Sequence, residues 1–101
     1  MPTKQSGALT IIPSQKQTVY YYEGEFTSEK VQSTTTKEIR NIIVAKKLRT
    51  AEDDLFVIIK PTRTADYKTV VDILDEMVIS RVERYALVTI SPEEAVRIGS
   101  Q

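Results

Sequence analysis

The chain has 101 residues, of which 14 are Lys or Arg and 14 are Asp or Glu, so its formal net charge is zero; it contains neither Cys nor His. Neutrality argues against nucleic acid, whose phosphates are held by a surplus of clustered cations. The missing Cys and His exclude disulfides, thiolate zinc sites, the Ser–His triad and the side chain most used as a base near neutral pH.

Carboxylates remain, but no DxDxDG calcium loop occurs, and Gly7, Gly24 and Gly99 are the only glycines available for a phosphate-cradling loop. The composition therefore predicts one domain that is not an enzyme and carries no cofactor and no metal. No run approaches the ~18 apolar residues that span a bilayer, and the N-terminus lacks a basic-then-apolar signal, so the chain as given is expected to be soluble.

Residues 1–7 are polar and are expected to be a flexible segment, with residues 8–101 forming the domain. Ala8 to Ile12, ended by Pro13, reads as a first strand, and Gln17 to Tyr22 as a second, because β-branched and aromatic residues suit a pleated surface. Pro13-Ser14-Gln15-Lys16 joins them as a hairpin, and Glu23-Gly24-Glu25 closes the second strand with a turn in which Gly24 supplies a positive φ. The polar stretch from Thr27 to Thr36 is either a loop or a weak fifth strand. Thr35 and Glu38 form a capping box for a helix carrying Ile39, Ile42 and Ile43 and ending near Leu48. Thr50 to Asp54 is a surface loop.

Leu55 to Ile59 is a continuous apolar run, the pattern of a strand covered on both faces, and Pro61 ends it. Asp66 is then the N-cap of an amphipathic helix whose stripe of Tyr67, Val70, Val71, Leu74, Met77 and Val78 is expected in the core. Lys68, Thr69, Asp72, Asp75 and Glu76 are expected in water. Tyr85 to Ile90 returns as an apolar strand, and Ser91-Pro92-Glu93-Glu94 has the cap, first-turn proline and capping-box acid of a short helix. The fold class is α+β, two helices packed on one face of a mixed four- to five-stranded sheet.

Between the first strand and Ile90 the chain resembles the periplasmic domain of the ExbD/TolR family, membrane-anchored subunits of proton-driven motors in Gram-negative bacteria. The resemblance rests on an ordered set: Thr18 to Glu25 (TVYYYEGE), the buried strand with its charged turn, Ala65-Asp66-Tyr67 at a helix start, the helix phrase Val70 to Met77 (VVDILDEM), and Tyr85-Ala86-Leu87-Val88 in the closing strand. Two departures stand out. Pro61-Thr62 replaces an Ala-Asp pair, and Ile79-Ser80-Arg81-Val82 replaces a glycine-hydrophobic turn, so a different exit from the second helix is expected.

The resemblance implies an energy-coupling domain that works as a homodimer. In the ExbD branch its partners are TonB and, through a membrane helix not found in these residues, ExbB, and the cargo is iron-siderophores and similar molecules. In the TolR branch it binds peptidoglycan. The short tail and the tyrosine-rich second strand lean towards ExbD.

Candidate partner-binding residues follow from strand chemistry. Tyr85, Leu87 and Val88 lie on a closing strand expected at a sheet edge or in the dimer interface; at an edge, unpaired backbone groups can take up a partner's extended segment. Tyr20 and Tyr22 share one face of the second strand; they could stack on sugar rings or anchor a peptide, or they could simply be core and sheet surface. Lys46, Lys47 and Arg49 sit at a helix C-terminus, where the dipole favours cations without any ligand. The alternative class is a generic α+β binding module; an RNA-recognition fold packs similarly, but zero charge and the lack of an aromatic-glycine phrase speak against it.

Overall fold

A computed structural model describes residues 7–50 and 54–98. Five strands, β1 (Ala8–Pro13), β2 (Thr18–Glu23), β3 (Gln32–Thr35), β4 (Phe56–Ile59) and β5 (Tyr85–Leu87), form one sheet in the order β3-β2-β1-β4-β5. Among the described residues three helices accompany them: α1 (Ile39–Arg49), α2 (Tyr67–Ile79) and α3 (Pro92–Ile98). β2 is antiparallel to both β1 and β3, whereas β4 is parallel to both β1 and β5. The expected α+β class with a mixed sheet is therefore observed, and the polar stretch after Thr27 supplies its fifth strand.

The hairpin turn between β1 and β2 is built on left-handed residues, Lys16 and Gln17, and Gly24 takes the expected positive φ of 71°. Gly7, assigned above to a flexible segment, is instead buried at the foot of the sheet. Its carbonyl accepts a bond from the Phe56 N–H at 3.0 Å, and a Cβ there would lie 2.0 Å from the Asp54 carbonyl oxygen. The remaining residues of that segment, 1–6, and residues 51–53 of the loop before β4 lie outside the described residues.

Strand alternation splits the sheet into two faces. On one, Leu9, Ile11, Val19, Val57 and Ile59 pack with Ile39 and Ile43 of α1 and Ile73 and Met77 of α2. On the other, Ile12 and Tyr22 pack with Val31, and Tyr20, Phe26, Ile90 and Ile98 close around them. Two helices thus share one face as expected, and α3 goes to the opposite face, beneath β1 and β2.

The core stripe of α2 is rotated from the expected one. Tyr67 is 84 % exposed and Val78 73 %, while Thr69 and Glu76, expected in water, are buried beside Ile73 and Met77. Both polar residues are paired where they sit, which removes the usual penalty for burying them. Thr69 Oγ1 accepts the N–H of Gln17 at 3.0 Å, and Glu76 takes a bidentate pair from Arg40 of α1 at 2.9 and 3.1 Å. Apolar residues are consequently left on the flank of α2 turned away from α1.

Both ends of α2 are capped. Asp66 accepts from Thr69 N–H at 3.0 Å and from Lys16 N–H at 2.9 Å, which fixes the helix against the β1–β2 turn. At the other end Val82 N–H reaches Met77 O and Arg81 N–H reaches Val78 O, at 2.8 and 3.1 Å. This is the double closure that glycine usually provides, and Arg81 adopts it with φ 58°. The exit expected to differ from the glycine turn therefore keeps that turn's geometry, at the expense of a side chain held in the left-handed region.

Candidate partner-binding edge

The sheet ends on one side at β3 and on the other at β5. Parallel pairing to β4 uses alternate residues: Arg84 O accepts from Val57 N–H at 3.0 Å and Val88 N–H donates to Ile59 O at 2.8 Å. The N–H and C=O groups of Tyr85 and Leu87, lying between these contacts in the alternation, point away from β4. Among the described residues no strand pairs with that outer side.

Side chains make this edge apolar on both flanks. The register Val57↔Tyr85 and Ile59↔Leu87 puts Tyr85 and Leu87 on the face of α1 and α2. Leu87 is nevertheless 60 % exposed and Tyr85 41 %, and the outward flank of α2 contributes Tyr67 and Val78 on the same side of the sheet. On the opposite face Val88 and Phe56 are exposed as well. An edge strand with open backbone groups and apolar side chains above and below is the surface natural sheets protect unless a partner uses it.

The chain beyond β5 leaves the sheet at once. After Val88 it turns beneath the second face, where Ile90 and Ile98 join the lower cluster. Where it parts from the segment that follows β4 a pocket of about 380 Å³ opens, lined by Pro61, Arg63, Leu87, Val88, Thr89 and Ile90. No hydrogen bond or ion pair engages the Arg63 side chain among the described residues.

What holds this turn in place is a buried polar network. The capping box at the start of α3 forms in both directions: Ser91 N–H donates to Glu94 Oε1 at 2.9 Å, and Glu94 N–H donates to Ser91 Oγ at 3.2 Å. Glu94 Oε2 also accepts from Lys60 Nζ at 2.8 Å and from the Tyr22 hydroxyl. Burial alone would raise the Glu94 pKa; the Lys60 ammonium, the Tyr22 hydroxyl and both Ser91 contacts outweigh it and hold the carboxyl at about 2. The Tyr22 phenol is pushed up, by burial first and by the neighbouring carboxylate next.

The residues expected from sequence separate into two groups. Tyr85, Leu87 and Val88 stand together on the open edge. Tyr22 is buried, bonded through its hydroxyl to Glu94, and Tyr20 is half-buried against the same lower cluster. The basic trio at the end of α1 is engaged structurally: Lys46 and Arg49 pair with Glu23, and Lys47 donates to the carbonyls of Ser80 and Arg81. Arg63, Lys60 and Glu94 had no signal as a set, because only the divergence of the chain after Val88 brings them into play. The capping-box spacing did mark Glu94, though for a local role.

Among the described residues no three of Asp, Glu, His or Cys come together as metal ligands, and no helix is long and apolar enough to cross a membrane. Comparison of the chain with family models, with curated proteins and with solved structures gives no significant match.

Proposed function

We propose that this chain is the periplasmic domain of an ExbD-like subunit and that it couples proton-motive force to outer-membrane transport by taking up an extended segment of a TonB-like partner on β5. The observation that carries this reading is the β5 edge: free backbone groups at Tyr85 and Leu87, with exposed apolar side chains on both flanks. Strand addition gains affinity from main-chain hydrogen bonds and selectivity from alternate side chains, so one short strand suffices to recruit a disordered tether.

The sequence resemblance supplies the biological setting. A homodimer would present two such edges, and a membrane helix of the kind that precedes this domain in the family would carry the contact to an ExbB-like subunit of the inner membrane. The ExbD branch is favoured over the peptidoglycan-binding TolR branch because Tyr22 is committed to Glu94 and to the lower core rather than to the surface.

Leu87 is the residue on which the reading turns. Leu87→Gln keeps a side chain of similar length on an exposed position and should leave the fold intact by circular dichroism while abolishing partner-dependent siderophore uptake. Uptake at the wild-type level in that variant would refute the proposal.

A further inference from the structure

The β5 edge explains how a segment could bind but not which segment. Its own side chains are apolar, so any extended apolar peptide would satisfy them equally. A polar side chain next to the edge would discriminate among them, and Arg63 is such a group.

Arg63 lies in the pocket that opens beyond β5, together with Pro61, Leu87, Val88, Thr89 and Ile90. It is exposed and unengaged among the described residues. Most other cations among the described residues have assigned work: Lys46 and Arg49 serve Glu23, Arg40 serves Glu76, Lys60 serves Glu94, Lys68 pairs with Asp72, Lys30 and Lys47 each donate to two backbone carbonyls, and Arg97 donates to the carbonyls of Ser28 and Val31. A guanidinium flanked by apolar walls, beside a strand edge, is the complement of a carboxylate followed by an apolar residue.

Resting on the proposed strand addition at β5, we propose that Arg63 selects the incoming segment, an extended peptide whose apolar side chain sits on Leu87 and whose Asp or Glu side chain enters the pocket against the Arg63 guanidinium. A side-chain carboxylate is the assigned group because capture of a chain terminus is ordinarily done by a nest of backbone N–H groups, whereas one planar guanidinium matches one carboxylate. Charge at such a site acts chiefly on specificity and association rate, so Arg63 is a specificity determinant and Leu87 the anchor.

The test uses two labelled synthetic peptides of alternating Val and Thr, amidated at the C-terminus, one carrying a single Glu and the other Lys at that position. Binding is followed by fluorescence anisotropy. The Glu peptide should bind the wild-type chain about tenfold more tightly than the Lys peptide, and Arg63→Glu should reverse that order. Equal binding of both peptides by both proteins would overturn the Arg63 assignment and leave strand addition standing. Leu87→Pro removes an N–H that points away from β4 together with the Leu87 side chain, so the backbone groups that pair with β4 are kept while the edge loses both a donor and its apolar anchor. Charge discrimination that survives Leu87→Pro would overturn strand addition and with it this inference. A Val/Thr peptide without Glu that binds tightly only when its C-terminus is a free carboxylate would overturn the side-chain assignment, and failure of every peptide to bind would overturn both.

Discussion

The two edges of the sheet have the same exposed backbone and opposite chemistry. β3 offers Gln32, Ser33, Thr34 and Thr35, whereas β5 offers Tyr85, Ala86 and Leu87 with Val88 beyond. In β3 the Thr36 N–H bonds to Gln17 O, so alternation turns the backbone groups of Ser33 and Thr35 outward, just as it does those of Tyr85 and Leu87 in β5. The hydrogen-bonding potential is therefore comparable, and the difference lies in the apolar surface that a docked strand would cover. Burial of a Leu-sized side chain gains roughly 1.5–3 kcal/mol, and the hydroxyl- and amide-bearing side chains of β3 offer nothing similar. An open edge is thus not enough to define a docking site; its side chains decide.

The largest effect expected on this comparison comes from the network that turns the chain away beyond β5. Glu94→Ala would leave Lys60 partly buried without its partner and remove the carboxylate half of the capping box of α3, at a cost of about 3–5 kcal/mol in a urea titration. An indifferent midpoint would mean that the turn which opens the β5 edge is held by something other than this pair.

Acid should act through the same group. The folded pKa of Glu94, about 2, lies below its ordinary 4.5. The unfolded state therefore binds the proton first. The contribution of Glu94 is complete above about pH 5 and is lost as pH falls towards 2, on the order of 3 kcal/mol in all. Thermal melts between those limits should show this fall in the wild type and a much smaller one in Glu94→Gln.

Substitutions at the two edges test the contrast itself. Ser33→Pro and Leu87→Pro each delete an outward N–H; the second should weaken binding of the partner segment by at least about tenfold, and the first should leave it within experimental scatter, when both are measured by calorimetry. Equal losses would erase the distinction between the edges. Gly7→Ala, at the foot of β1 and β4, should destabilise by about 1–3 kcal/mol through the clash with the Asp54 carbonyl and leave affinity per folded molecule unchanged.

The smallest effect has the opposite sign. Arg81→Gly should raise stability by about 0.5–1 kcal/mol, because glycine relieves the left-handed strain at φ 58° and gives back part of that gain in unfolded-chain entropy.

Much of this fold was legible in the sequence because its signals are local. The apolar runs of β1, β2 and β4, the Asp66 cap, the Ser91–Glu94 box and Gly24 each act within a few residues, and each is found in the structure. The stripe of α2 was not legible. Hydropathy put Thr69 and Glu76 outside, yet Gln17 and Arg40, distant in sequence, satisfy them inside and rotate the helix. The same rotation exposes Tyr67 and Val78. The closing strand marks Leu87 for an edge, whereas the second strand leaves Tyr22 open between a partner and the core, and the turn that brings Glu94 beneath β2 decides it by burying Tyr22.

On the proposed reading β5 rather than β3 receives the partner. This is tested most directly by recording backbone amide chemical shifts of the isotope-labelled chain while the extended periplasmic segment of a TonB-like protein from the same organism is added. The shifts should cluster on Arg84 to Ile90 and on Arg63, with Gln32 to Thr35 unmoved. A cluster on Gln32 to Thr35, or no shift at saturating peptide, would contradict it.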